Sequence, residues 1–233
     1  MRCVPLAVLA LLTACSPSAS ENESQAKGAP ADGPAATLIL AAGTACTAQW
    51  DGQSLSPKAL GDRAFELLSK RIDAAGGPAA ITLETLPYLR IEAPPETAWP
   101  CAGEALSSLQ HAGYGQAALR PTGLGNAPDQ LVQLPHGTVA APLPGRLVTV
   151  GAGGAIDANG KPLDRPALRD FARANSSGGP DDFSIAPLPG ARFNDVYQTL
   201  NDLRAGGAGV MLAAPAGPAA TADAPPVPAV PQP

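Results

Sequence analysis

The sequence is poor in the side chains from which most catalytic and metal centres are built. Among 233 residues there are only two histidines, His111 and His136, and four cysteines. Neither histidine lies at ligand spacing from the other or from a cysteine, so we predict no metal site, no cofactor and no catalytic residue. A Gly-x-Ser-x-Gly nucleophile motif is also lacking. These gaps disfavour an enzyme.

Charge is scarce as well. Charged residues make up 15% of the chain and the formal net charge is −5, which excludes the basic surface that nucleic-acid binding requires. The glycine-rich run 151–154 is followed by a strand and turn pattern rather than by a helix, so it predicts a hairpin connection and not a dinucleotide loop. We interpret His111 as a helix-end residue and Asp181-Asp182 as a solvated pair.

The N-terminal residues 1–14 combine one arginine with an apolar run that is too short to span a bilayer, which predicts a cleaved export signal. The following Leu12-Thr13-Ala14-Cys15 resembles the lipobox of bacterial lipoproteins. That resemblance implies acylation of Cys15, a periplasmic location and anchoring to a membrane. Inner-membrane lipoproteins of many Gram-negative bacteria carry Asp at the position of Ser16, so the resemblance implies the outer rather than the inner membrane. An ordinary signal peptide with a chance cysteine is the alternative.

The sequence predicts segments without regular structure at both ends of the mature chain. Residues 15–37 are rich in small and polar side chains and predict a flexible tether, and the Pro/Ala-rich residues 215–233 predict a disordered tail. Cys46 and Cys101 remain as an even pair in an oxidising compartment, where we expect them to form a disulfide. Two buried free thiols are the alternative.

An internal repeat is the most informative pattern in the chain. It relates residues 38–120 to residues 147–214, with a linker at 121–146. Asp51-Gly52 and Asn159-Gly160 each predict a type I′ hairpin turn. Both turns are followed by a helix start, with a capping residue and an early proline: Ser56 and Pro57 in the first copy, Asp164 and Pro166 in the second.

A second block repeats Gly-Gly-Pro, two spacers and an apolar-hydroxyl-apolar strand pattern. The predicted strands are 81–83 and 183–185, and an amphipathic helix and a last apolar segment follow each of them. In the first copy the extra residues 88–96 predict an added hairpin or loop, and Gln130 to Leu134 in the linker predicts an additional edge strand. Chance similarity in a Gly/Pro-rich chain is the alternative to a repeat.

The predicted fold class is α+β: two tandem small α/β domains, each a mixed sheet with two helices packed on one face. The Asn-Gly-x-x-Leu turn into a helix, and the second helix that ends in Ala-Gly before a last strand, resemble the periplasmic domain of the ExbD/TolR family. That resemblance covers each half. It implies a periplasmic role in contact with peptidoglycan or a partner protein, but not proton-driven transport, because the family's transmembrane helix and aspartate are lacking.

Two functions follow as hypotheses. The first is a non-catalytic, membrane-anchored module that binds a protein partner or the cell wall through exposed strand edges, since small sheets present unpaired backbone groups. The second is a diverged cell-envelope hydrolase. A purely structural lipoprotein is a third interpretation. Oligomeric state and partner identity do not follow from the residues.

Overall fold

The structure is a computed structural model of the chain that describes residues 33–41, 46–82, 85, 87–134, 146–179 and 182–213. Eleven strands of these residues form one mixed sheet. The strands are β1 (Ala36–Leu40), β2 (Ala48–Trp50), β3 (Gln53–Leu55), β4 (Leu89–Ala93), β5 (Gln116–Pro121), β6 (Gln130–Gln133), β7 (Leu147–Val150), β8 (Ile156–Ala158), β9 (Lys161–Leu163), β10 (Phe183–Pro187) and β11 (Val210–Leu212). The helices are α1 (Pro57–Ala74), α2 (Trp99–His111), α3 (Arg165–Asn175) and α4 (Phe193–Ala205).

The two predicted repeats have the same strand order. The sheet runs β3-β2-β1-β4-β5 in the first repeat and, from its opposite end, β9-β8-β7-β10-β11 in the second. In the first repeat β1, β4 and β5 are mutually parallel, and in the second β7, β10 and β11 are. The first hairpin strand of each repeat, β2 or β8, pairs antiparallel with this set. The two units are therefore related by an approximate twofold axis near the centre of the sheet.

The expected separation into two tandem domains is not confirmed, because one sheet and one hydrophobic core span both repeats. β6, from the linker, pairs antiparallel with β5 and parallel with β11. The core includes Trp50 of the first repeat and Phe193 of the second. β6 was predicted as an edge strand, and that position is wrong. It pairs with a strand on each side and its residues Leu131 and Val132 are buried, so it lies at the centre of the sheet.

The predicted turns and helix starts are confirmed. Asp51 and Asn159 adopt positive φ angles of 50° and 57°, and the glycine after each has a φ of 77°, as a type I′ turn requires. The Ser56 hydroxyl accepts a hydrogen bond from the backbone N–H of Ala59, and the Asp164 carboxylate accepts one from Ala167. These caps satisfy helix N–H groups that have no partner within the helix, and so fix where α1 and α3 begin.

The central strand of the first repeat was predicted in the wrong place. Residues 78–80 form a single 3₁₀ turn, and Ile81 and Thr82 are not in a strand. The strand is instead Leu89–Ala93, within the segment predicted as an added hairpin or loop, and its residues alternate between buried and half-buried. The Gly-Gly-Pro match relates the two copies at their glycines. The extra residues of the first copy, however, lie before its central strand and not after it.

The helices of both repeats meet near the twofold axis. The N–H of Trp99 donates to the carbonyl of Ala191, and reciprocally the N–H of Phe193 donates to the carbonyl of Thr97, at 2.9 and 2.8 Å. The Trp99 and Phe193 rings stack with centroids 6.4 Å apart. Since right-handed crossovers place both helices of a repeat on one face and α2 contacts α4, the four helices form one layer.

Candidate functional site

A groove of about 790 Å³ lies on the outer surface of the helix layer, over the first repeat. It is bounded by the N-terminal half of α1, by the length of α2 and by the loop that follows β10 in the second repeat. Its lining residues are Pro57, Lys58, Gly61, Asp62, Phe65, Trp99, Pro100, Gly103, Glu104, Ser107, Ser108, His111, Ala112, Pro187, Leu188 and Pro189. We call this feature the α1/α2 groove.

Small residues on the facing helix surfaces create the α1/α2 groove. A Cβ atom added at Gly61 would lie 3.6 Å from the Ser108 carbonyl oxygen, so the two helices approach closely at that point. Gly103 and Ser107 continue this low surface along α2. The absence of large side chains over the helix contact leaves a depression between the helices.

Apolar side chains line the groove and remain accessible to solvent. Phe65 is 61% exposed and Leu188 is 45% exposed, whereas nearly all large apolar residues of the described chain are buried or half-buried. Proline rings at Pro100, Pro187 and Pro189 add rigid apolar surface. Exposed apolar surface gathered in a concave site is the usual signature of a binding site.

Most polar groups at the rim are engaged with their own helices. The ammonium of Lys58 lies 2.6 Å from the carboxylate of Asp62, one turn away. His111 Nδ1 lies 2.7 Å from the carbonyl oxygen of Ser107, and the Ser108 hydroxyl donates to the carbonyl oxygen of Glu104 at 3.0 Å. His111 therefore has the helix-end geometry predicted from the sequence. No acidic side chain orients it in the described contacts, as a Ser-His nucleophile pair would require.

The β10 loop is held against the groove by backbone hydrogen bonds. The N–H of Leu188 donates to the carbonyl of Val150 at 2.8 Å, and the N–H of Ala191 donates to the carbonyl of Leu188 at 3.1 Å. Because Ala191 is also bonded to Trp99, the second repeat supplies one wall of a site whose other walls belong to the first. The groove exists only when both repeats are joined in one sheet.

The predicted cysteine pair lies beside this site. Cys46 precedes β2 by two residues and Cys101 is the third residue of α2, with their Cα atoms 4.8 Å apart and their sulfurs at disulfide-bonding distance. The bridge therefore ties the start of α2, which forms a groove wall, to the sheet. This confirms the pairing.

Two buried carboxylates belong to the framework of the second repeat, and the sequence interpretation missed both. Asp182 was expected to be a solvated residue, and this is wrong: its side chain is only 1% exposed. Burial acts to raise the pKa of Asp182, but hydrogen bonds from Ser177, Ser176 and the Gly178 backbone outweigh it and hold the pKa well below the usual range. Arg146 adds an ion pair at 2.8 Å. The Ser-Ser-Gly run that precedes Asp182 was the available signal.

Asp202 on α4 is the second buried carboxylate. Its oxygens lie 2.8 Å from Arg165 and 2.7 Å from Arg169, both on α3, while its own side chain is 1% exposed. A helix-to-helix ion-pair cluster thus holds α3 against α4. Neither Asp182 nor Asp202 opens into the α1/α2 groove, so both stabilise the fold and do not form part of the site.

The terminal strands β3 and β9 form the two edges of the sheet. In both hairpins the middle residue of the edge strand directs its backbone groups away from the neighbouring strand. That residue is Ser54 in β3 and Pro162 in β9, opposite Gln49 and Asp157 respectively. Proline has no N–H, so the β9 edge is blunted against strand addition, whereas the β3 edge is open over a length of three residues.

Several predicted features lie outside the described residues: the export signal, Cys15, most of the tether, His136, Asp181 and the tail. Within the described ranges, no group of three or more His, Cys, Asp and Glu side chains is placed to hold a metal ion. Among the helices of those ranges, none has the length and apolar character needed to cross a membrane.

Comparison with known proteins adds no relative. No protein-family model, no curated protein and no solved structure matches the chain. The resemblance to the ExbD/TolR periplasmic domain therefore stays a hypothesis drawn from the residues quoted above, and function has to be argued from the geometry of the molecule.

Proposed function

We propose that this protein is a non-catalytic binding module of the bacterial cell envelope, anchored by lipid at Cys15, whose α1/α2 groove binds an extended, proline-containing polypeptide. The observation that carries the proposal is the groove itself, with Phe65 and Leu188 exposed in it beside four proline rings. The lipobox-like residues, and the resemblance of each repeat to the ExbD/TolR periplasmic domain, support the envelope location.

The chemistry of the groove favours a polypeptide ligand over a small polar substrate. Its walls are mostly apolar, and aromatic rings and prolines suit the ridged surface of a polyproline II helix, which is already extended before it binds and so loses little entropy. The Ser107 hydroxyl lies 3.5 Å from His111 Nδ1, but Nδ1 donates its proton to the Ser107 carbonyl oxygen at 2.7 Å and so cannot act as a base towards that hydroxyl. The Ser108 hydroxyl donates to the helix backbone, so neither hydroxyl is activated for attack. This supports binding rather than hydrolysis.

The length of the groove agrees with a short peptide segment. Its α2 wall extends from Trp99 to Ala112, which at 1.5 Å per residue is roughly 20 Å. A polyproline II segment rises about 3.1 Å per residue, so about six residues cover that distance. The proposed ligand is therefore a hexapeptide or heptapeptide segment within a longer partner.

A titration with a defined probe tests the proposal. The probe is a fluorescent peptide of repeated Ala-Pro-Pro, and a Gly-Ser peptide of equal length is its control. We expect saturable binding of the first peptide only. Phe65→Ser should weaken it by about thirtyfold, because burying a phenylalanine contributes about 2 kcal/mol. The matched variant Leu124→Ser removes a side chain that is 45% exposed outside the groove and should leave affinity unchanged.

Three results would count against the proposal. If Phe65→Ser and the parent chain bound the Ala-Pro-Pro peptide with equal affinity, the peptide would bind outside the groove. If both peptides bound equally well, proline would not be recognised. Sedimentation with purified peptidoglycan that Phe65→Ser leaves intact would favour cell-wall binding at a different surface. The lipid anchor is tested separately. Cys15→Ser should move the protein from the membrane fraction to the soluble periplasmic fraction, and an unchanged distribution would contradict the proposed anchor.

A further inference from the structure

The described chain ends close to the α1/α2 groove. β11 pairs parallel with β10, and the N–H of Ala213 donates to the carbonyl of Ile185 at 2.8 Å. Two residues farther along β10 is Pro187, which lines the groove. Since neighbouring strands are about 4.8 Å apart, the chain leaves the sheet one strand away from a groove wall.

The sequence that follows Ala213 has the pattern of a groove ligand. In a polyproline II helix, with three residues per turn, Pro225, Pro228 and Pro231 lie along one edge. Val227 and Val230 lie along an adjacent edge. The two edges form a continuous apolar side from residue 225 to residue 231, which is the side that a groove lined by aromatic rings and prolines would contact.

The distances also agree. Residues 225–231 cover roughly 20 Å as a polyproline II segment, which matches the α2 wall of the groove. Residues 214–224 provide a connection of up to about 35 Å in extended form, more than enough to reach from the end of β11 around the β10 loop. No charge opposes the contact, because Asp223 precedes the segment and the remaining residues are neutral.

We infer that residues 225–231 of this chain occupy its own α1/α2 groove and compete there with a partner. The inference rests on the proposed function for its consequence, and on the geometry of the chain end for the contact. A tail tethered this way has an effective concentration in the millimolar range. If the segment binds with an affinity on the order of 100 µM, it weakens the binding of an external peptide by about tenfold.

Paramagnetic NMR tests the contact. The soluble chain from Ser16 onward retains Cys46 and Cys101, which are bonded to each other, so Asp223→Cys adds a single free thiol for a nitroxide label. We expect strong broadening of the amide signals of Gly61, Gly103 and Ser107. The equivalent positions of the second repeat, Arg169, Tyr197 and Asn201, serve as internal controls and should keep their signals.

A tail variant separates the contact from a general effect of the label. Replacing Pro225, Pro228 and Pro231 by serine alters no residue of the core and should restore the groove signals. Absence of broadening, or broadening of equal strength at the second-repeat controls, would overturn the inference. Transfer of the broadening to an unlabelled, isotope-enriched chain in a mixture would also overturn it, because the tail would then act on a second copy.

Affinity measurements distinguish this inference from the proposed function. A chain that stops after Ala214 should bind the Ala-Pro-Pro peptide about tenfold more tightly than the full chain. Equal affinities of the two chains would show that the tail does not compete with the peptide, and would leave the function proposed for the groove unaffected. If neither chain binds the peptide but the tail still broadens the groove signals, the external partner is wrong and the contact of the chain with its own groove is supported.

Discussion

The two repeats share a backbone arrangement but differ in how their helices are held together. α1 meets α2 through Gly61 and the backbone at Ser108. At the equivalent positions α3 meets α4 through Arg169 and Asp202, whose side chains lie 2.7 Å apart. The first repeat thus has an open, mostly apolar surface over its helix pair, and the second has the same surface filled by an ion-pair cluster.

The contact between the first helix and the sheet also differs between the two repeats. In the first repeat the Arg63 guanidinium lies 4.8 Å from the centre of the Trp50 ring. In the second repeat the residue at the same helix position is Phe171, which packs edge-on against Phe183 at 5.5 Å. The same strand order therefore accommodates different side-chain contacts between sheet and helices, and the α1/α2 groove lies over the first helix pair.

The largest expected difference between the repeats concerns the disulfide, which only the first repeat contains among the described residues. The bridge closes a loop with a sequence separation of 55 residues, for which the chain-entropy model gives about 4 kcal/mol. Cys46→Ser together with Cys101→Ser should therefore lower the free energy of unfolding by about that amount in urea titrations. A loss below 1 kcal/mol would show that α2 is held to the sheet by its core contacts alone.

The second prediction compares the two helix contacts directly. Asp202→Asn should cost about 2 kcal/mol, because it removes the buried charge that pairs with Arg165 and Arg169, whose own side chains are partly solvated. Ser108→Ala, at the equivalent position, removes only a hydrogen bond to the backbone of the same helix and should cost less than about 1 kcal/mol. Equal losses in chemical denaturation would contradict the claim that the two helix pairs are held by different forces.

The parts of this fold that the sequence predicts are those determined by local chemistry. Turn residues with positive φ, helix caps and amphipathic stripes act within a few residues of each other, so Asp51-Gly52 and Asp164 could be interpreted without knowing the rest of the fold. The disulfide could be predicted because Cys46 and Cys101 are the two cysteines left after the signal and the lipobox. The repeat itself is visible for the same reason, because each copy contains the same local signals in the same order.

The errors concern contacts between distant parts of the chain. β6 looks like an edge strand in isolation, and only its pairing with both β5 and β11 makes it central. The α1/α2 groove depends on Gly61 and on Pro187, which are far apart in sequence and belong to different repeats. Asp182 looks solvated until Arg146 and the Ser177 loop are placed around it. Apart from the Ser-Ser-Gly run that precedes Asp182, no local pattern contains this information.

The third prediction concerns Asp182, which precedes the central strand of the second repeat, where the first has the buried Tyr88. Because hydrogen bonds lower the pKa of the folded carboxyl beneath its unfolded value of about 3.9, its stabilising effect is fully present above that pH. The effect is lost as the pH falls towards the folded pKa. Asp182→Asn should therefore cost about 2 kcal/mol at pH 6 and distinctly less at pH 3.

A matched control identifies the source of that pH dependence. Asp170 is 75% exposed and pairs with Arg173 on the surface of α3, so Asp170→Asn should change the free energy of unfolding by less than about 0.5 kcal/mol at either pH. Calorimetric melts of both variants at the two pH values make the comparison. A constant penalty for Asp182→Asn across this range would mean that lost hydrogen-bond geometry, and not charge, accounts for it.

Substitution by alanine of two glycines at the helix contacts should change the stability in opposite directions. A Cβ atom at Gly206 would lie 2.5 Å from the Ala172 Cβ atom and 2.8 Å from the Arg169 carbonyl oxygen, so Gly206→Ala should destabilise the protein by about 2 kcal/mol. Gly61 lies inside α1, and only the Ser108 carbonyl oxygen lies within 4 Å of its added Cβ. Gly61→Ala should stabilise the protein by up to about 1 kcal/mol, since alanine loses less backbone entropy in a helix. Thermal melts of both variants measure the two effects. If Gly61→Ala also destabilises the protein, the first helix pair is packed as tightly as the second, and small residues at the helix contact do not account for the α1/α2 groove.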